Sequence, residues 1–138
     1  MRPWLFLSLA ALAACTDFAT PAQLEHTTII AVVADPPIVQ PGQQARLSVV
    51  VADKTGVVTV PSEWTLGEAF PGIAPMGTIA ADGDGALYTA PAMVPADRAA
   101  NVPPLDSVEV TVQTSEGPLS ALKAMPVRAM DAANPTIT

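Results

Sequence analysis

The sequence predicts an all-β protein that folds as a single antiparallel β-sandwich of about seven short strands. Three observations lead to this prediction. Residues 106–114 alternate between valine and polar side chains, which is the pattern of a half-buried strand. Fifteen prolines and eight glycines interrupt the chain at short intervals. The residues after the N-terminal leader show no apolar period of the kind that a helix requires, so short strands joined by turns are favoured.

Charge and cysteine content exclude several classes of function. The 138 residues include 13 acidic and 6 basic side chains, for a formal net charge of −7, so a nucleic-acid backbone would be repelled. The single cysteine excludes an internal disulfide and a cysteine-cluster metal site, and the single histidine excludes most zinc and acid–base constellations. We therefore expect no nucleic-acid partner, no metal and no cofactor. The length is that of one domain.

The first three strands follow from alternation and turn signals. Residues 27–34 are rich in β-branched side chains and end at two prolines, which cannot continue a central ladder. Residues 45–51 alternate, and we expect their odd-numbered side chains to be buried. Residues 58–66 form the third predicted strand. The shared parity of their even positions places Trp64 in the core.

The remaining strands include one compact hairpin. Residues 78–89 contain the turn sequence Asp-Gly-Asp-Gly between two short β segments, which is typical of a hairpin. Residues 106–114 form the next strand. Residues 119–130 form the last one, whose alternation is blurred and interrupted by Pro126, so we expect an edge strand or a bulge there.

The N-terminus has the form of a secretion signal. A positive charge precedes residues 4–14, which are almost all apolar. A helix of this length covers about half of a hydrocarbon core ~30 Å thick, so the segment is too short to span a bilayer. A cleaved signal peptide is therefore favoured over a transmembrane helix.

The signal ends in Leu12-Ala13-Ala14-Cys15, which resembles the lipobox of bacterial lipoproteins. The resemblance implies that a signal peptidase recognises Leu12, Ala13 and Ala14, and that Cys15 is lipidated and becomes the first residue of the mature chain. The covalent lipid would anchor the protein to a membrane. In Gram-negative lipoproteins, an Asp directly after the lipidated cysteine favours retention in the inner membrane. Residue 16 is Thr, so the resemblance indicates anchoring in the outer membrane. The alternative is an ordinary secretory leader with Cys15 as an incidental thiol.

Several segments of the predicted sandwich resemble one family. Residues 36–42, Trp64, residues 77–79 and residues 85–92 are together similar to the bacterial immunoglobulin-like domains of surface proteins and lipoproteins. The sequence Gly-Ala-Leu-Tyr-Thr-Ala-Pro contributes most to this likeness. The resemblance implies an immunoglobulin-like sandwich. The predicted parts of the chain are then a signal peptide at 1–14, a lipidated cysteine and tether at 15–26, the sandwich at 27–130 and a loose tail at 131–138.

Two features invite a reactive or metal-binding interpretation. The turn Asp82-Gly83-Asp84-Gly85 has the beginning of a calcium loop, but its twelfth position is Met93 instead of the bidentate Glu, so a plain acidic turn is favoured and calcium is not an expected partner. His26 has a side chain suited to acid–base chemistry, but no nucleophile or zinc motif lies near it in the sequence. We therefore expect no enzymatic activity.

Two long loops are the candidate partner-binding surface. Residues 67–77 and 90–106 are rich in proline and carry six larger apolar side chains. These are Phe70, Ile73, Met76, Met93, Val94 and Leu105. They either anchor a partner or fold back over the open ends of the sandwich as lids.

Together these features predict a membrane-anchored, non-catalytic lipoprotein that acts as an interaction or structural module of the cell envelope, with an envelope protein as its partner. Binding of carbohydrate or peptidoglycan is the alternative. It would require exposed aromatic rings, of which the sequence offers few: Phe18, Phe70 and the further candidates Trp64 and Tyr88, whose positions favour core packing.

Overall fold

The computed structural model describes residues 24–98 and 102–128. These residues form eight β-strands, with one turn of 3₁₀ helix at Ala96–Arg98 between the sixth strand and the seventh. The strands are β1 (Thr28–Asp35), β2 (Gln44–Asp53), β3 (Gly56–Val58), β4 (Ser62–Gly67), β5 (Thr78–Asp82), β6 (Gly85–Thr89), β7 (Leu105–Thr114) and β8 (Gly117–Pro126). The predicted all-β class is confirmed.

The strands form two antiparallel sheets. One sheet has five strands in the order β1-β2-β6-β5, with β3 paired to β2, and the other has three strands in the order β4-β7-β8. Leaving out the short β3, this is the strand order of a constant-type immunoglobulin domain, in which the first, second, fifth and fourth strands face the third, sixth and seventh. The prediction of an immunoglobulin-like antiparallel sandwich is therefore confirmed.

The third predicted strand is divided between the two sheets. Residues 56–58 pair with β2, whereas residues 62–67 pair with β7 in the other sheet. Residues 59–61 cross from one sheet to the other, and Pro61, which has no amide proton to donate to a ladder, lies in this crossing. The expectation of one continuous strand over 58–66 is wrong.

The core lies between the sheets and follows the predicted parity. Val108, Val110 and Val112 of β7 are fully buried and face side chains of β2 and β6, including Leu47 and Tyr88. Trp64 is half-buried and packs against both groups of core residues. Its indole N–H donates a hydrogen bond of 3.0 Å to the hydroxyl of Ser62. The expected place of Trp64 in the core is confirmed.

The last strand lies at an edge, as its blurred alternation predicts. β8 pairs with β7 only, and residues beyond Pro126 turn to a different neighbour. Val127 forms a parallel bridge with Val39, and the Arg128 amide donates to the Val39 carbonyl at 2.9 Å. This bridge ties the end of the described chain to the segment between β1 and β2.

Several predicted features fall on residues that the structure does not describe. The signal peptide, the lipobox residues Leu12, Ala13 and Ala14, and the lipidation site Cys15 precede the first described residue, and the C-terminal tail follows the last one. Within the ranges given above, no helix has the length and hydropathy needed to cross a membrane.

Candidate functional site

The two long loops meet at one buried carboxylate, Asp106. It precedes the three buried valines of β7 and shares their parity, so the strand directs its side chain into the sandwich, where it is fully buried. One carboxylate oxygen accepts from the Met76 amide at 2.8 Å. The other accepts from the Gly77 amide at 2.7 Å and from the Tyr88 hydroxyl at 2.8 Å. Asp106 thus joins β7, β6 and the loop before β5.

Arg98 brings the second loop to the same place. The 3₁₀ turn at Ala96–Arg98 directs this side chain inward, where it is almost completely buried. Its guanidinium lies 3.9 Å from a carboxylate oxygen of Asp106 and donates to the carbonyls of Leu105, at 3.2 Å, and Ala74. Because a buried charge is tolerated only when it is paired and hydrogen-bonded, Arg98 and Asp106 stabilise each other.

Tyr88 completes this cluster, which we call the loop tie: Tyr88, Arg98 and Asp106. Burial raises the pKa of the Tyr88 phenol, and its hydrogen bond to Asp106 and the charge of that carboxylate raise the pKa further. The phenol therefore stays protonated and serves as a donor inside the core. A buried ring offers no face to a sugar, so Tyr88 does not support the carbohydrate-binding alternative.

The six predicted partner-binding side chains are placed differently from one another. Met76 and Val94 are half-buried and pack against the core, which fits their interpretation as lids. Phe70 and Ile73 are half-buried and bridge each other through the Ile73 amide and the Phe70 carbonyl at 3.0 Å. Leu105 begins β7 and is half-buried. Met93 is 78% exposed and is the one of the six that the structure leaves open to a partner.

The residues around the loop tie also border a small cleft. It has a volume of about 380 Å³ and is lined by Gly72, Ile73, Ala74, Pro75, Met76, Pro95 and Arg98. The guanidinium at its base is already engaged by Asp106 and two carbonyls. The polar groups here hold the two loops together and have little capacity left for a ligand.

A second and larger depression opens in the outer face of the five-stranded sheet. β2 pairs with β6 over residues 44–47 and with β3 over residues 51–53, so residues 48–50 have a strand partner only on the β1 side. The crossing of residues 59–61 to the other sheet leaves this gap. The resulting groove has a volume of about 550 Å³. That size is within the range of ligand pockets in proteins, roughly 300–1,000 Å³.

The walls of this groove, which we call the β2 groove, are aliphatic. Leu47 and Val51 lie beneath it and are fully buried, so they form its floor without exposing surface to solvent. The remaining aliphatic lining residues are Val33, Val49, Val50, Val57, Val58 and Val60. Val57 is 77% exposed and is the most accessible of them.

The rim of the β2 groove is acidic. Asp35, Asp82 and Asp84 line it together with a single cation, Arg46. The Arg46 guanidinium lies 3.1 Å from a carboxylate oxygen of Asp82. Neither Asp35 nor Asp84 forms a side-chain hydrogen bond or salt bridge within the part of the chain that the structure describes. Negative charge therefore exceeds positive charge at this end of the groove.

The turn that resembles the beginning of a calcium loop belongs to this rim. Gly83 lies between Asp82 and Asp84 with φ of 59°, a left-handed conformation that glycine adopts without strain. Asp82 is engaged by Arg46. Over residues 24–98 and 102–128, no group of three or more His, Cys, Asp and Glu side chains is arranged to hold a metal ion.

His26 lies apart from both clusters. Its Nδ1 is 3.3 Å from the carboxylate of Glu116 in the turn between β7 and β8, and both side chains are exposed. The Thr28 hydroxyl donates to the His26 carbonyl at 3.2 Å, but no serine, threonine or cysteine side chain is hydrogen-bonded to the His26 imidazole in the described structure. The pair links the start of β1 to the turn between β7 and β8.

Neither the loop tie nor the β2 groove is predicted from the sequence. Asp106 begins the predicted strand 106–114 and has the parity of the buried valines, which is a signal for its burial, but it also ends the predicted loop 90–106, and no local pattern identifies its partners. The groove depends on the division of the third strand, for which Pro61 was the available signal.

Among known proteins, this chain is similar to solved structures and not to any family model or curated sequence. No protein-family model matches the sequence, and no curated protein matches it either. Two solved structures that match are domains of titin. The titin M3 domain has a TM-score of 0.39 at 15% identity, over 74% of this chain and 96% of that chain. A chimeric titin Z1Z2 functionalised with a KLER exogenous peptide from decorin has a TM-score of 0.40 at 17% identity, over 75% of this chain and 94% of that chain.

Proposed function

We propose that this chain is a membrane-anchored, non-catalytic lipoprotein that acts as an interaction module of the bacterial cell envelope. The observation that carries the proposal is the β2 groove. It is an open depression with mostly aliphatic walls, at the place where β2 lacks a strand partner on one side, and concave apolar surface of this size is suited to contact with another molecule.

The loop tie supports the non-catalytic part of the proposal. Asp106 and Arg98 are the charged side chains buried in the described chain, and they are engaged by each other and by backbone groups. The phenol of Tyr88 is held protonated. These groups stabilise the fold, and the exposed imidazole of His26 is paired with the carboxylate of Glu116.

Anchoring through Cys15 rests on the likeness of residues 12–15 to a lipobox. The chain from Cys15 to His26 has 12 residues, which extend at most about 40 Å. A lipid on Cys15 would therefore hold the sandwich close to the membrane, where the β2 groove meets envelope proteins. Because the residue after the cysteine is Thr16 and not Asp, the lipoprotein resemblance assigns this anchor to the outer membrane.

The test is site-specific photo-crosslinking of the full-length chain in its native membranes. A photoreactive side chain at position 57 reports on the β2 groove. The matched control is position 122, because Leu122 is 70% exposed, close to the 77% of Val57, and lies on β8 of the other sheet. We expect a defined envelope protein to be captured from position 57 and not from position 122, and mass spectrometry to find the Cys15 peptide acylated.

Three results would each overturn a part of the proposal. Equal capture from positions 57 and 122, or none from either, would remove the β2 groove as the site of interaction. Turnover of a defined substrate by the purified chain, lost in a variant of a described side chain, would remove the non-catalytic assignment. An unmodified Cys15 would remove the anchor alone.

A further inference from the structure

We infer that the β2 groove binds a particular kind of partner segment: an extended polypeptide that places one aliphatic side chain in the groove and a Lys or Arg against its acidic rim. This inference rests on the proposed function and identifies the chemistry of the partner. It is carried by the shape of the groove and by the distribution of charge around it.

The aliphatic part follows from the lining of the groove. Val49, Val50 and Val58 form its walls, and Val33 and Val57 contribute its most exposed aliphatic surface. A branched aliphatic side chain would remove its own surface and that of these residues from water. A polar side chain would lose hydrogen bonds to water without replacing them.

The basic part follows from the rim. Asp82 is paired with Arg46 at 3.1 Å, whereas Asp35 and Asp84 form no ion pair in the described residues. Arg46 lies opposite Asp35 in the β1–β2 ladder, so the rim has three carboxylates and one guanidinium, and a cation bound there would gain net attraction. An anionic ligand would be repelled by three carboxylates and could reach only one guanidinium, which Asp82 already engages.

Two other occupants fit less well. A second copy of this chain would have a formal net charge of −7 and the same acidic rim, so the approach of two copies is opposed by like charge. The anionic surface of a membrane would be repelled for the same reason. A basic segment of another polypeptide is the occupant that matches the charge.

The spacing within the partner segment follows from β2. Val50 and Arg46 are four residues apart on this strand, and a strand rises about 3.3 Å per residue, so the two ends of the groove are separated by about 13 Å. A partner that runs alongside as an extended chain covers this distance in about four residues. The cation should therefore follow or precede the aliphatic anchor at that spacing.

The test uses synthetic peptides and the full-length chain in detergent micelles. The probe is a capped hexapeptide of serine and threonine with leucine at its second position and arginine at its sixth. One control peptide replaces the arginine with glutamate, and another replaces the leucine with serine. Binding is measured from the shifts of methyl NMR signals of the protein as each peptide is titrated.

We expect the signals of Val50 and Val57 to shift with the probe, while those of Leu122 on the other sheet stay in place. We expect the probe to bind about fivefold more tightly than the glutamate peptide, with a preference that shrinks as salt is added. The serine peptide should produce no shift at the same concentration.

The variants Asp35→Asn and Asp84→Asn, combined, should remove the preference for arginine over glutamate. The matched control combines Glu63→Gln and Glu109→Gln, which makes the same change of charge on the other sheet and should leave the preference intact. Equal binding of the two charged peptides, no binding of the probe, or shifts confined to other residues would overturn the inference.

Self-association is a separate outcome of the same experiment. If Val57→Ser alters the oligomeric state of the full-length chain in sedimentation, the occupant is a second copy and the inference is wrong. Failure of the peptides alongside selective crosslinking from position 57 would overturn this inference alone. Failure of the crosslinking as well would overturn the proposed function.

Discussion

The loop tie and the β2 groove use charged side chains in opposite ways. In the loop tie, Asp106 accepts three hydrogen bonds and faces Arg98. Both charged side chains are therefore fully engaged in contacts that hold two loops to the sandwich. In the β2 groove, Asp35 and Asp84 lie beside exposed aliphatic side chains and find no partner in the described structure. The difference teaches that charge density alone does not locate a binding surface. A structural cluster is distinguished from a candidate site by whether its charged side chains are already hydrogen-bonded and paired within the fold.

This comparison predicts that the largest loss of stability comes from the loop tie. Asp106→Ala leaves the buried guanidinium of Arg98 without a counter-charge and the Met76 and Gly77 amides without an acceptor. Breaking a buried pair in this way costs about 3–5 kcal/mol. The free energy of unfolding of the full chain, measured by urea titration, should fall by that amount.

The matched control for Asp106→Ala is Glu109→Ala on the same strand. Glu109 has the outward parity of β7 and is only half-buried, so its removal should change the free energy of unfolding by no more than about 0.5 kcal/mol. A loss from Asp106→Ala of similar size to that from Glu109→Ala would show that the loop tie contributes little to stability.

The second prediction concerns the border of the β2 groove. Gly85 begins β6 at a place where a Cβ atom would overlap the carbonyl oxygen of Leu47 on β2. Gly85→Ala should push the two strands apart and cost about 1–3 kcal/mol in urea unfolding. Gly67→Ala is the control, because the nearest atom to its Cβ would be the Ser107 carbonyl oxygen at 4.0 Å. Equal stability of the two variants would show that β2 and β6 approach each other less closely than described.

The sequence predicts the sandwich because apolar and polar side chains alternate along its strands. It does not predict the loop tie, because the same alternation allows Asp106 to be either buried or solvated. The valines of β7 correctly identify the buried face. Asp106 has the same parity, but an aspartate at the start of a strand is more often solvated than buried, and the sequence does not show that Tyr88 and Arg98 meet it. Contacts between distant residues of this kind are set by tertiary packing.

The β2 groove was missed for a different reason. The run Val49-Val50-Val51 indicates aliphatic side chains on both faces of β2, a pattern that the expectation of one buried face left unexplained. Pro61 was evidence against a continuous third strand. The position of the gap, however, depends on the registers of β3 and β6 against β2, which no local pattern specifies.

The third prediction is a loss of stability in alkali that originates in the loop tie. The folded-state pKa of Tyr88 is raised above the value of about 10 that it has in the unfolded chain. Its contribution is therefore fully present below pH 10. It declines above pH 10, where the unfolded chain releases the proton and the folded chain keeps it, by up to about 1.4 kcal/mol per pH unit.

Two measurements check this pH dependence. Tyr88 is the single tyrosine of the chain, so tyrosinate absorbance in the ultraviolet reports on this phenol alone. The free energy of unfolding between pH 8 and pH 11 should fall more steeply in the native sequence than in Tyr88→Phe, which shares the titration of every lysine. Parallel curves for the two proteins, or tyrosinate formation in the folded chain at pH 10, would contradict the prediction.

The smallest effect on stability is expected in the β2 groove, where the effect on binding should be largest. Val57 is 77% exposed, so Val57→Ser removes few packing contacts and should change the free energy of unfolding by about 0.5 kcal/mol or less. The same substitution removes the most accessible aliphatic side chain of the groove and should weaken binding of the leucine–arginine peptide, measured by methyl NMR. Leu122→Ser makes a comparable change at a similarly exposed position of the other sheet and should leave binding unaltered.

The two kinds of variant together test whether structural charges and binding surface lie in separate regions. They do if Asp106→Ala lowers stability without altering binding by the folded protein, and Val57→Ser weakens binding without altering stability. A Val57→Ser variant that binds the peptide as tightly as the native sequence would show that the exposed valine is an ordinary surface residue, since solitary apolar side chains on a protein surface require no explanation.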